Sequence, residues 1–194
     1  MGEAHATLGN DLFMATFRRS THGATYFFTV VSNHRRPILC DEQIRHALRD
    51  AIKITAQEYP FKIDAWVLMP DHLHTIWTLP ADDLNYSRRW ALIKRRVSQS
   101  CGALYADPKY SRPSNIARHE STIWQRRFWE HTIRDDVDFE NHMNYVHFNP
   151  LKHDLVDDLA NWPYSTFHRC VSQGFYPADW CGKGLDFTEM SFGE

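Results

Sequence analysis

The 194-residue chain contains no run of eighteen or more apolar residues, and a helix needs about that many to cross a bilayer. Its cysteines number four, Cys40, Cys101, Cys170 and Cys181, all far apart and none in a CxxC pair. That excludes a disulfide framework or a zinc knuckle as the organising device and makes a reducing cytoplasm the expected setting. A GxxxxGKS/T loop is also missing, so no phosphate cradle of that kind serves a nucleoside triphosphate. The opening MGEAHATLGNDLFM lacks the basic-then-apolar order of a secretory signal. Ala6 stands where a myristoylation signal wants Ser or Thr. Internal repeats and low-complexity tracts are absent. Neither charge dominates: 22 Lys and Arg against 24 Asp and Glu leave −2 at pH 7. That balance excludes a protein that coats nucleic acid indiscriminately.

What is present fits one ordinary globular domain with a sizeable core, at 43% hydrophobic and 14% aromatic residues. Local basic clusters stand out against the neutral total. Arg88, Arg89, Lys94, Arg95 and Arg96 crowd one segment, and Arg126, Arg127 and Arg134 crowd another. Such patches suit a binder of defined DNA, although solvated surface charge explains either cluster equally well.

Residues 1–20 carry little pattern and are expected to be a flexible arm. ATYFFTVV, residues 24–31, is dense in aromatic and β-branched types and predicts a buried strand. Asp41 is placed to cap a helix running to about Tyr59, on the spacing of Ile44, Leu48 and Ile52. FKIDAWVLM then predicts a second strand, turned at Pro70-Asp71 into a third. Ser87 is expected to cap a helix to about Tyr105, with Trp90, Ile93, Val97 and Leu104 inward. Residues 106–122 predict a mobile loop. Ile123–Ile133 predicts a fourth, irregular strand, with helix as an alternative for part of it, and Asp135-Asp136 starts a helix that should stop at Pro150. Strand, helix, strand, strand, helix, strand describes an α+β, ferredoxin-like split βαβ antiparallel sheet with helices on one face. The expected boundaries are an arm at 1–20, a domain at 21–150 and a packed C-terminal appendage at 151–194.

Within this frame WVLMPDHLHTIWTLP, residues 66–80, is the stretch with chemical promise. On a strand the side chains alternate, so His72 and His74 share a face with Ile76 while Leu73 points away, and their Cα atoms lie roughly 7 Å apart. Two imidazoles so placed can grip one metal ion; two polar residues on a solvated face give the same pattern. Zinc, copper, iron and manganese all accept imidazole, so spacing alone names no metal.

A second candidate surface lies on DVDFENHMNYVHFN, residues 136–149. Phe139, Met143 and Val146 form an apolar stripe, and Asp138, His142, Tyr145 and Asn149 a polar one beside it. Taken alone, Tyr145 is explained as a half-buried tyrosine and Asn149 as a helix-ending residue before proline.

The ordered blocks LMPDHLHTIWTLP, IWQRRFWEHTIRDDVDFENHMNYVHFNPLKHDLV and WPYSTFHR together resemble the REP-associated tyrosine transposases, over roughly residues 24–170. These are a branch of the single-tyrosine HUH endonucleases, related to the transposases of small insertion sequences. The resemblance implies that His72 and His74 are metal ligands, that Asn149 completes the metal site and that Tyr145 is the nucleophile. Asp154 stands where relatives often have glycine. The implied reaction is transesterification on single-stranded DNA through a 5′-phosphotyrosine, with Mg2+ or Mn2+ as the ion and His142 as a candidate helper for the phenolic proton. The implied substrate is a hairpin formed by repetitive extragenic palindromes. Arg88, Arg89, Arg95, Arg96, Arg126, Arg127 and Trp129 are the candidates for holding it. The expected setting is cytoplasmic and nucleoid-associated, without nucleotide cofactor or membrane, and a monomer is favoured over a homodimer. Two rivals are a DNA-hairpin binder of the same fold that does not cleave, and a metal hydrolase of small molecules.

Overall fold

The computed structural model describes residues 15–20, 23–111, 122–185 and 192–193. Four strands form one sheet in the order β2-β3-β1-β4, with every neighbouring pair antiparallel. They are β1 (Ala24–Val31), β2 (Lys62–Leu68), β3 (His72–Leu79) and β4 (Trp129–Thr132). The α+β antiparallel architecture is the expected one, and the two central strands are buried almost end to end.

Helices, however, cover both faces of the sheet rather than one. On one side α1 (Glu42–Glu58) and α2 (Tyr86–Cys101) pack Ile44, Leu48, Trp90, Ile93 and Val97 against Phe28, Val30, Leu73 and Trp77. On the other, α3 (Asp136–Lys152) packs Phe139, Met143, Tyr145 and Val146 against Phe27, Val67 and Ile76. The reason lies in β3, where apolar residues occur on both sides of the alternation: Leu73 and Trp77 need one cover and Ile76 needs another.

Asp41 holds the N-cap position of α1 without a side-chain cap bond. Asn85 rather than Ser87 caps α2, accepting from the Arg88 N–H at 3.0 Å, and Leu104 is exposed beyond its end. The fourth strand is regular only over Trp129–Thr132; upstream, Trp124 makes an isolated bridge to Ser32. Of the expected loop, Pro108–Tyr110 forms a single 3-10 turn, and residues 112–121 lie outside the described residues. Helix α3 runs through Pro150 to Lys152. Proline so near a helix end removes one hydrogen bond, and the His153 N–H closes the last turn onto the Asn149 carbonyl at 3.0 Å.

The chain ends nearest the domain are packed. Most of the expected arm, residues 1–14, lies outside the described residues, but Phe17 is buried and stacks on Phe175 with centroids 4.6 Å apart. Residues 164–166 extend the outer edge of β2: Leu68 N–H donates to the Tyr164 carbonyl and Thr166 N–H to that of Trp66. A short helix α4 (Phe167–Ser172) follows. Covering an edge strand in this way keeps it from pairing with another chain. Among the described residues no helix is long and apolar enough to cross a membrane.

Trp77 is fully buried and stacks on Trp90 at 4.3 Å between centroids. Trp77→Ala should therefore cost about 3–5 kcal/mol of unfolding free energy. Chemical denaturation of the two proteins measures it.

Candidate active site

Sheet register assembles the site. One row across the α3 face reads Val67, His74, Thr29 and Trp129, on β2, β3, β1 and β4 in turn. His72 is two residues from His74 on the same side, and their rings stand 4.8 Å apart, centroid to centroid, at 73°. Both histidines are buried. The solvated-face explanation is thereby removed.

Each ring is held through Nδ1. His72 Nδ1 meets Asp71 Oδ1 at 2.6 Å, and His74 Nδ1 meets Thr29 Oγ1 at 2.8 Å. With Nδ1 engaged, Nε2 is the atom each imidazole can offer to a metal, and a partner at Nδ1 fixes ring orientation and raises basicity. Burial pushes the Asp71 carboxyl up, but the hydrogen bonds and charges of His72 and Arg35 outweigh it and hold it at about 2.

Helix α3 brings the remaining candidates to these rings. The Tyr145 ring lies 5.2 Å from His74, and His153, two turns further on, lies 5.2 Å from His72. Asn149 sits midway between Tyr145 and His153 and is fully buried. Its Nδ2 donates to the Tyr145 carbonyl at 3.1 Å, while its Oδ1 is buried without a hydrogen-bond partner. A buried amide oxygen left so, one turn along the helix from the tyrosine that meets His74, is what a divalent cation would satisfy. The donor set of His72, His74 and Asn149 fits such an ion.

Tyr145 is 1% exposed. Phe192 stacks on it at 3.4 Å and 5°, and Phe27 meets it edge-on at 6.1 Å. The Phe192 carbonyl accepts from Thr29 Oγ1. The phenolic oxygen accepts from Lys152 Nζ at 3.0 Å, with that nitrogen 4.8 Å from the ring centre.

His142 is placed differently. Its Nδ1 bonds the Asp138 carbonyl at 2.7 Å, and its ring stacks on His131 at 4.7 Å. Burial above all lowers its pKa and favours the neutral ring. Among the described residues His131, Asp138 and His142 also bring one ligand atom each within 4.8 Å of the others. There, however, Arg134 Nε and His131 Nε2 both reach Asp138 Oδ2, at 3.2 and 2.9 Å. A cation added there would face the guanidinium, so we take this cluster as an ion pair securing β4 to α3.

The basic candidates divide. Arg89 is fully buried and bonds the carbonyls of Tyr59, Asn85 and Pro60 and the Asp83 carboxylate, so it is internal structure rather than a phosphate contact. Arg96 makes a two-pronged bond to Glu58 at 2.7 and 2.8 Å. Arg88 lies over the Tyr59 ring. All three, with the exposed Arg95, stand on α2, across the sheet from Tyr145. Arg126 and Arg127 are exposed just before β4. Trp129, half-buried, is on the site face, edge-on to Phe27 at 5.8 Å.

The family model described as transposase, IS200 like, matches residues 20–149. A REP-associated tyrosine transposase of Escherichia coli K12 is 42% identical over 182 residues, spanning 93% of this chain and 98% of the relative. The chain belongs to the REP-associated tyrosine transposases, within the IS200-like family. A relative from Haemophilus influenzae is 43% identical over 174 residues, with 88% and 95% of the two chains covered. A solved structure of a REP-associated tyrosine transposase bound to a REP hairpin superposes with a TM-score of 0.72, at 41% identity over 93% of this chain and 98% of that one. This REP-associated tyrosine transposase is thus an enzyme of a family that is in general metal-dependent.

Residue-by-residue reading of the sequence did not single out Thr29, Asp71 or Lys152. Asp71 precedes His72 in the chain, and Lys152 lies seven residues, two helical turns, beyond Tyr145; both spacings were visible. Thr29 is brought to His74 by strand register alone.

Thr29→Val removes the partner of His74 Nδ1 at nearly constant volume. Affinity for Mn2+ should fall about 10- to 100-fold, as isothermal titration would measure. A pH effect follows at Asp138, where burial raises the carboxyl but hydrogen bonds from His131 and Arg134 outweigh it and hold it at about 2. The folded value lies below the usual 3.8, so the ionised group stabilises the fold above about pH 4 and that contribution is lost as pH falls through about 2. Asp138→Asn should lower the melting temperature at pH 7, and its deficit against wild type should shrink below pH 4.

Proposed function

We propose that this transposase cuts and rejoins single-stranded DNA at hairpins of repetitive extragenic palindromes. In this reading Tyr145 is the nucleophile and His72, His74 and Asn149 hold a divalent ion, Mg2+ or Mn2+. The observation that carries it is the meeting, within one chain, of the Tyr145 ring with the imidazole of His74 at 5.2 Å. No second subunit is needed to supply the tyrosine, which favours a monomer.

The chemistry follows from the residues. Phosphoryl transfer needs an in-line nucleophile and neutralisation of the phosphate oxygens. The bound ion would supply Lewis-acid polarisation of the scissile phosphate. Two imidazole nitrogens and one amide oxygen leave coordination positions open for phosphate and water. Asp71 and Thr29 keep the two imidazoles in the tautomer that presents Nε2. Tyr145 Oη attacks phosphorus, and the bond to the 3′ oxygen breaks. The product is a 5′-phosphotyrosine with a free 3′-hydroxyl, whose reversed attack rejoins strands without ATP. For the DNA, Arg126, Arg127 and Trp129 border the site face, where cations pair with phosphates and an indole stacks on an unpaired base. Arg88 and Arg95 would serve only DNA that wraps around the sheet. The site of action is the nucleoid, in the cytoplasm.

Incubation with a labelled hairpin oligonucleotide and Mn2+ should give a protein–DNA adduct that survives a denaturing gel. Tyr145→Phe should abolish the adduct while hairpin binding persists. Hairpin binding by wild type with no adduct under any divalent metal would instead support the non-cleaving hairpin binder.

A further inference from the structure

The Lys152 ammonium lies 3.0 Å from the phenolic oxygen of Tyr145. Both side chains come from α3, seven residues apart, so two turns of one rigid helix set their spacing. Tyr145 is 1% exposed while Lys152 is exposed, which puts the lysine at the boundary between solvent and the buried hydroxyl. The faces and edges of the ring meet Phe192, Phe27 and His74. These contacts are with carbon and imidazole, and Lys152 brings a cation to the oxygen.

Resting on the reading of Tyr145 as nucleophile, we propose that Lys152 is a further catalytic residue, which stabilises negative charge on the Tyr145 oxygen in both directions of strand transfer. In the forward step the phenolic proton passes to a solvent base. The oxygen, still accepting from Lys152, forms its bond to phosphorus as the bond to the 3′ oxygen breaks; that oxygen keeps the electron pair and takes a proton from water. In the reverse step a 3′-hydroxyl gives its proton to solvent and attacks. Tyr145 then leaves with the electron pair, and the ammonium again stands at the oxygen that gains charge. A buried phenolate without a cation would be costly, since desolvation penalises the charged form. A donor aimed at the atom where charge develops is a large catalytic term. His142, with Nδ1 bonded to the Asp138 carbonyl, makes no such contact.

The test uses the full chain, a labelled REP-type hairpin and Mn2+, with Lys152→Met, Lys152→Arg and Tyr145→Phe compared with wild type by single-turnover adduct formation. Lys152→Met should slow the step on the order of 100-fold with hairpin affinity and melting temperature little changed, and Lys152→Arg should recover much of the rate. Placing 3,5-difluorotyrosine at position 145, whose phenol ionises more readily, should restore Lys152→Met selectively and do little for wild type. An unchanged rate in Lys152→Met, or a loss of hairpin affinity that accounts for the slower rate, or no rescue by the fluorinated residue, overturns the proposal. An adduct retained in Tyr145→Phe sinks the tyrosine mechanism itself. Fluorine NMR of the labelled residue in the DNA-free protein separates the two failures. If Lys152→Met leaves that resonance unmoved, the contact is absent whether or not the chain cuts DNA.

Discussion

Everything at the site depends on the pairing of Thr29 with His74 across β1 and β3. A strand presents alternate residues to opposite sides, so a slip of one residue would carry both imidazoles through the sheet to the α1 and α2 side. Register is held because both sides are closed. Leu73 and Trp77 fill one core and Ile76 the other, and neither set can be exchanged without exposing the rest. The same pairing supplies the hydroxyl that orients His74. Fold stability and the geometry of the candidate metal site are thus one constraint.

Burying so many polar groups is tolerable only when they are matched. His147 shows the matched case: fully buried, it meets Tyr176 Oη at 3.1 Å and Thr166 Oγ1 at 2.8 Å, and burial, with the nearby Arg169 charge, pushes its pKa down to about 3. It is a neutral tie between α3 and the C-terminal segment. Asn149, two residues on, shows the opposite, a buried amide oxygen without a hydrogen-bond partner. Within a single helical turn the chain thus holds one buried polar group that is fully matched and one whose oxygen is not.

The sequence carried the topology well, because the strands are short, strongly β-forming and separated by clear turns. It misjudged the helix layers. Tyr145 and His142 look like a polar stripe, and a polar stripe suggests solvent, whereas Asp138, His142, Tyr145 and Asn149 are all buried. Helical periodicity cannot tell a solvated stripe from one packed on an inward-facing functional surface. The arginines of α2 failed for a related reason: charge counts show where cations are, not which carbonyls and carboxylates they already serve. Arg89, enclosed by Tyr59, Pro60 and Asp83, belongs to the fold. The blocks around the histidine pair and YVHFNP were legible because each places several unusual residues in one order, and chance rarely does that twice in a chain.

The burial of Tyr145 sets the direction from which a phosphodiester can reach it. Phe192 lies flat on the ring at 3.4 Å, and Phe27 and His74 stand against it; these contacts fix the ring plane and thereby the line along which its oxygen points. The hydroxyl end meets Lys152, an exposed side chain at the edge of the core. In-line attack requires the phosphorus to approach that oxygen directly. With the ring faces covered, the hydroxyl end, where Lys152 bonds the oxygen, is the side that faces a phosphodiester, next to the paired imidazoles of His72 and His74. Aromatic packing fixes the ring of Tyr145, and the Lys152 ammonium is held at its oxygen end.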